Sequence, residues 1–200
     1  MRIDVLTLFP AMFAGPLDVS IVQRARDAGI LDLRIHNLRD WTHDRHKTVD
    51  DRPFGGGPGM VLMPGPVVEC VEAVQALCAE HGVAPSQVLL GGRSMGGRMC
   101  SMAVAEGLGA AGLVLVSYPL HPPKRPDRLR TEHFPAIGVP CLFVSGTRDG
   151  FATPDELQAA TAAIAGPVTH RWIDGGRHEL DRDDDAVVAA VAAWLAGTSS

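Results

Sequence analysis

Two hundred residues, 46% of them hydrophobic and 20% charged, carry enough apolar material for a buried core, which excludes a disordered or fibrous chain. The formal net charge of −5 excludes a general electrostatic attraction to nucleic acid or to an anionic membrane and leaves room only for a local basic patch. The start Met1-Arg2-Ile3-Asp4 is no signal peptide and no apolar run approaches the ~20 residues that span a bilayer, so a cytoplasmic protein without membrane contact is expected.

Arg2 to Phe9 is β-branched and leucine-rich and ends at Pro10, so it reads as a buried strand. Ile21 to Ala28 has helical apolar spacing and stops at Gly29, and Leu31 to Leu38 alternates as a second strand. Strand, helix, strand predicts a parallel pair with a crossover. From Arg39 to Pro58 the chain is charged, histidine-bearing and finally glycine-rich, too polar for a core. Val67 to Glu80 predicts a helix, Val88 to Leu90 a short strand, Arg98 to Glu106 a helix and Leu113 to Ser117 a strand. A proline-rich loop, Tyr118 to Arg128, follows. Val139 to Ser145 predicts a strand, Pro154 to Ala165 a helix, Val168 to Ile173 a strand and Asp185 to Leu195 a terminal helix. Repeated β-loop-α units of this length define an α/β chain, a mostly parallel sheet with helices on both faces. The four cysteines, Cys70, Cys78, Cys100 and Cys141, have neither CxxC nor metal-type spacing and read as small buried hydrophobes.

Gly92-Arg93-Ser94-Met95-Gly96 is a G-x-S-x-G between a strand and a helix. On such a turn the serine backbone is strained, its hydroxyl is lifted out of the sheet, and the amide of Met95 points where an oxyanion would form. Taken alone, the pattern also fits a tight turn whose serine caps the helix. Two later strand ends add weight. Leu142 to Ser145 leads into Gly146-Thr147-Arg148-Asp149, and Trp172-Ile173 leads into Asp174-Gly175-Gly176-Arg177-His178. In a parallel sheet the loops at carboxyl strand ends gather on one edge, so Ser94, Asp149 and His178 can converge. A serine hydroxyl needs an imidazole to take its proton, and the imidazole needs a carboxylate to hold its tautomer. Asp174 reads as a turn residue and Asp155 as an acid in the first turn of a helix. His121, His133 and His170 read as surface or loop residues.

This half, about 77–195, resembles the α/β-hydrolase superfamily, in particular its small lidless dienelactone-hydrolase-like members. The resemblance implies Ser94 as nucleophile, Asp149 as acid, His178 as base and a small ester, lactone, thioester or amide as substrate. It implies neither a cofactor nor a metal.

Asp44-Arg45-His46-Lys47-Thr48-Val49-Asp50-Asp51-Arg52-Pro53-Phe54-Gly55-Gly56-Gly57-Pro58-Gly59-Met60 reads physically as a backbone that can approach a flat ligand, preceded by side chains suited to phosphates. Composition alone does not separate this from a charged surface loop with a glycine turn. Together with Leu8-Phe9-Pro10 and Thr42-His43, the stretch resembles the N-terminal part of bacterial tRNA (guanine-37-N1) methyltransferase, a trefoil-knot enzyme that uses S-adenosylmethionine. The resemblance covers about 1–68 and places the loop from Asp50 through Gly55, Gly56, Gly57 and Pro58 to Gly59 near the cofactor pocket and target guanine, with Arg45 and His46 before it as side chains suited to phosphates. In that family a knotted segment and a separate helical domain follow. Here hydrolase-like sequence follows instead, so methyl transfer by this chain alone is not expected.

The expected organisation is therefore a methyltransferase-like β-α-β segment over 1–72, then a hydrolase-like domain over 73–200 without its usual first strands. A serine hydrolase with a small-molecule substrate is the first expectation. Binding of tRNA through the first half, and an inactive chimera, are the alternatives.

Overall fold

The computed structural model describes residues 1–15, 17–51, 61–180 and 182–198. The chain forms two compact units, Met1–His81 and Gly82–Ser200. The boundary expected at 72/73 falls within a helix of the first unit.

In the first unit, β1 (Arg2–Thr7) pairs in parallel with β2 (Asp32–Asn37), Arg2 opposite Asp32 through Thr7 opposite Asn37, and α1 (Ser20–Asp27) forms the crossover. Polar residues on these strands satisfy one another. Asp4 takes Arg2 Nε at 2.7 Å and His36 Nε2 at 2.7 Å. Burial alone would raise the Asp4 carboxyl, but these hydrogen bonds outweigh it and hold the group below its ordinary value. An antiparallel ribbon, β3 (Asp50–Asp51) with β4 (Val61–Leu62), is too short to show in hydrophobic periodicity. Helix α2 (Pro64–Glu80) buries Val67, Cys70, Val71, Val74 and Cys78, and burial pushes the Cys70 thiol up to about 12. All four cysteines are free and buried, in line with the sequence reading.

In the second unit four parallel strands, β5 (Leu89–Arg93), β6 (Gly112–Val116), β7 (Cys141–Gly146) and β8 (Val168–Ile173), pair in the order β5-β6-β7-β8. Alternation along the central strands sorts the core into two faces. Leu113, Leu115, Cys141 and Phe143 pack with Cys100 and Val104 of α3 (Met95–Ala105) and Leu157 of α4 (Pro154–Thr161). Leu142, Val144 and Ile173 pack with Leu180 and with Trp194 of α5 (Asp184–Thr198). Helices therefore cover both faces, as the repeated β-loop-α pattern requires. Each fully buried Leu or Phe contributes about 1.5–3 kcal/mol. Strands β1 and β2 form a sheet of their own, and among the described residues β5 pairs on one side only.

Two expectations are corrected. Helix α4 ends at Thr161 because Ile164 turns into the core and the Gly166 amide bonds to the Ile137 carbonyl at 3.0 Å. Of the three histidines read as surface or loop residues, His121 and His133 lie in loops and His170 in β8, and all three are held by the fold. His121 is 5% exposed, with Nε2 at 3.4 Å from Glu156. His133 Nε2 meets Ser101 Oγ at 2.8 Å. His170 lies between the Phe143 and Trp172 rings, with Nε2 on Thr161 Oγ1 at 3.0 Å. Their side-chain hydrogen-bond partners lie 35, 32 and 9 positions away in the sequence.

Burial holds the His170 imidazole below its ordinary range, and burial followed by the Arg98 charge does the same for His133. An unfolded imidazole titrates near ~6.5, so as pH falls the unfolded chain takes up protons first. The stability contributed by neutral burial is complete above about pH 6.5 and declines as pH drops through the lowered folded values. Thermal unfolding followed by circular dichroism should give a lower midpoint at about pH 5.5 than at about pH 7.5. His170→Phe, which cannot take up the proton, should shrink the difference; equal midpoints in the unsubstituted protein would contradict this account.

Candidate active site

The site sits at the carboxyl edge of the second sheet. Ser94 follows β5 and is the N-cap of α3, with φ 51° and ψ −118°. A non-glycine residue in that region is strained, and the surroundings hold it there. Its amide donates to the Val116 carbonyl at 2.8 Å, which ties the turn to β6. Strand and helix cross so closely that a Cβ on Gly92 would lie 2.5 Å from Gly96 C and Gly97 N. A Cβ on Gly97 would lie 2.7 Å from the Gly92 oxygen. Met95 opens α3, where the first amides of a helix have no intrahelical partner and the dipole favours negative charge.

Asp149 and His178 arrive on loops that are stitched together. Thr147 N donates to Ile173 O at 2.9 Å, Arg148 N to Gly176 O at 2.9 Å, and Gly175 N to Thr147 Oγ1 at 2.8 Å. Gly146 lies so near Gly176 that a Cβ on it would collide with the Gly176 carbonyl. Asp149, 4% exposed, accepts from Phe151 N at 2.8 Å. The Phe151 ring stacks on His178 at 4.0 Å between centroids.

The three side chains meet in a line. His178 Nδ1 lies 2.8 Å from Asp149 Oδ2 and 3.0 Å from Oδ1, and His178 Nε2 lies 2.8 Å from Ser94 Oγ. A carboxylate only accepts, so Nδ1 carries the proton and Nε2 accepts from the serine hydroxyl. Arg93 Nη2 donates to the His178 carbonyl at 3.3 Å. Asp174 accepts from Thr147 Oγ1 at 3.4 Å within the loop, and Asp155 occupies the first turn of α4. Sequence reading missed Phe151 and Thr147, whose parts depend on contacts across 27 or more positions.

Of the first-unit candidates, Arg45 and His46 lie on an exposed turn, with His46 N donating to Asp44 Oδ2 at 3.1 Å, and Asp50 lies in β3. Gly55, Gly56, Gly57, Pro58 and Gly59 lie outside the described residues. Among the described residues no His, Cys, Asp and Glu cluster could hold a metal, and no helix is long and apolar enough to cross a membrane.

Two family models match the chain: an alpha/beta hydrolase domain over residues 61–191 and tRNA (guanine-1)-methyltransferase over residues 1–116. An alpha-beta serine hydrolase homologue from Coxiella burnetii is similar in structure, with a TM-score of 0.56 and 19% identity, over 96% of this chain and 84% of that one. A thermophilic esterase from Thermogutta terrifontis gives a TM-score of 0.52 and 18% identity over 72% of this chain and 75% of its own. These likenesses establish the fold. Curated tRNA (guanine-N(1)-)-methyltransferases of Koribacter versatilis and Thermomicrobium roseum are each 60% identical over 75 and 74 residues, 38% and 37% of this chain. The chain spans 28% of the length of each of those relatives.

Fold and sequence together define an α/β chain with a hydrolase domain in its second half. The chain belongs to the alpha/beta hydrolase domain family over 61–191 and to the tRNA (guanine-1)-methyltransferase family over 1–116. Both matches include residues 61–116, and the part of that overlap beyond His81 folds within the second unit.

The glycine contacts separate two substitutions that look alike. Gly92→Ala drives a methyl into backbone and should cost about 1–3 kcal/mol. Gly96→Ala meets nothing within 4 Å, and alanine is a better helix former, so it should leave stability unchanged or raise it. Denaturant unfolding of the two variants checks the contrast; equal destabilisation would contradict the packing described.

Proposed function

We propose that the second unit is a serine hydrolase acting on a small ester-like substrate, with Ser94 as nucleophile, His178 as general base and Asp149 holding the imidazole. The observation that carries this reading is the Ser94–His178–Asp149 line, at 2.8 Å on each side of the imidazole, with Ser94 on a strained strand-to-helix turn. In this mechanism Ser94 Oγ attacks the carbonyl carbon while its proton passes to His178 Nε2. Asp149 stabilises the imidazolium, and the Met95 amide donates to the oxyanion. Collapse of the tetrahedral intermediate expels the alcohol, which takes the proton from His178. Water then attacks the acyl-serine with His178 again as base.

The alpha/beta hydrolase family membership supports the reaction class. Activity is expected to be weak. Strand β5 stands at an edge of its sheet, and the strand whose following loop brings the usual second oxyanion donor in the resembled superfamily would lie beyond that edge. Loss of one such donor costs on the order of 3 kcal/mol. An activated ester such as p-nitrophenyl acetate should still turn over, because a good leaving group asks less of the oxyanion hole. A fluorophosphonate probe should label Ser94. Ser94→Ala should abolish both labelling and turnover, and Asp149→Asn should lower turnover by on the order of 10³–10⁴. Turnover unchanged in Ser94→Ala would overturn the assignment, and no labelling of the unsubstituted chain would favour an inactive chimera.

The 60% identity to a methyltransferase over 75 residues, with the family match that starts at residue 1, favours a second reading, tRNA binding through the first unit. Among the described residues nothing stands in for the knotted segment that follows in the resembled family. The first unit offers two short two-stranded sheets, and beyond His81 the chain is committed to the hydrolase core. Titration calorimetry with S-adenosylmethionine should give no micromolar binding. Such binding would show that other residues have replaced the knotted segment of the resembled family.

A further inference from the structure

We propose that Phe151 is a positioning residue for the hydrolysis, and that its ring face stabilises the imidazolium form of His178. This rests on the reading of His178 as general base. The two rings stack at 4.0 Å between centroids, with their planes 29° apart. The face of a phenyl ring carries partial negative charge, so a cation held over it is attracted. A neutral imidazole gains little from that field. When the Ser94 proton arrives at Nε2 the imidazole becomes positive, and the contact strengthens. An interaction that is stronger in the transition state than before it lowers the barrier rather than tightening substrate binding.

The backbone around Phe151 is held from several directions, which fixes where the ring stands. Its amide donates at 2.8 Å to Asp149 Oδ1, on the carboxylate that meets His178 Nδ1. Its carbonyl accepts from the His121 amide, on the loop after β6, at 3.2 Å. Ala152 turns into the core beside Leu157, and Thr153 caps α4 with its amide and hydroxyl both 2.8 Å from Glu156 Oε2. The same Glu156 oxygen meets His121 Nε2 at 3.4 Å, so the cap and the loop after β6 share an anchor. Phe151 itself stays half-buried, and His178 is its ring partner among the described residues.

The imidazole thus meets Asp149 at Nδ1, Ser94 at Nε2 and Phe151 across one face. Asp149 acts in the plane of the ring and selects the tautomer. Phe151 acts through the face, which cannot select a tautomer, so its part is orientation and charge. The charged groups on the segments that meet His178 are Arg93 of β5, Arg148 and Asp149 after β7, and Asp174, Arg177 and Glu179 on its own loop. None of them changes when Phe151 is replaced.

The test places phenylalanines with one, two and three ring fluorines at position 151 of the full chain. Fluorine drains the negative face and barely alters the shape. The imidazolium forms in acylation and in deacylation, so kcat reports it whichever step limits. With p-nitrophenyl acetate, kcat should fall stepwise along the series, to about one tenth with three fluorines, while KM stays level. Phe151→Leu should fall as far, and Phe151→Tyr, which keeps the ring face, should retain most of kcat. A kcat that is level along the fluorine series, or equally low in Phe151→Tyr and Phe151→Leu, overturns the proposal. NMR titration of the His178 ring keeps the contact testable if the ester is not turned over. Its protonation midpoint should fall along the same series, because each fluorine removes support from the charged form. A falling midpoint without turnover would uphold the contact while the serine-hydrolase reading fails. A midpoint that stays level overturns the proposal whatever the turnover. Circular dichroism of each variant confirms that it is folded.

Discussion

The second unit depends on one close contact, the passage of the β5 backbone at Gly92 against the first turn of α3 at Gly96 and Gly97. Side chains at Gly92 or Gly97 would push strand and helix apart by more than the turn between them can absorb. Because they are absent, the chain reverses within one residue, and that residue, Ser94, takes the strain. The hydroxyl then projects beyond the carboxyl edge of the sheet, and the amides that open α3 face the same space. Packing and site geometry are set together here, since the turn that presents the Ser94 hydroxyl also aims the α3 helix dipole at the space in front of it.

A second close approach, Gly146 on Gly176, does for His178 what the first does for Ser94. It brings the loops after β7 and β8 together, so that Asp149 is buried and His178 is braced by Phe151. The imidazole is thus fixed by a carboxylate, by a ring face and by backbone bonds through Thr147 and Gly175. Asp149, Phe151 and Thr147 lie on the loop after β7 and Gly175 on the loop after β8, and the parallel register of the two strands is what brings these loops together.

Much of this was legible in the chain. Periodicity identified the eleven longer elements, because buried strands such as Leu142 to Val144 and helices such as the one carrying Cys100 and Val104 pattern their apolar residues strongly. The serine, aspartate and histidine were legible because each stands just past an apolar strand, where a parallel sheet collects its loops. Features set by distant partners were not. His133 depends on Ser101 and His170 on aromatic neighbours in β7 and β8, none of which local pattern reveals. The Asp50–Asp51 and Val61–Leu62 ribbon is two residues long on each side, below the length at which alternation carries information.

The spacing of the serine, aspartate and histidine along the chain has a kinetic consequence. The contact between Ser94 and His178 closes a loop of 84 positions, and the one between Asp149 and His178 a loop of 29. Contacts of such separation form after local helices and turns, because the closure entropy is repaid only once neighbouring strands are in register. The imidazole reaches the serine only when β5 and β8, the two outer strands, have both joined β6 and β7. The line of three side chains therefore closes only with the complete four-stranded sheet, and a chain with β5 or β8 unpaired leaves Ser94 and His178 apart.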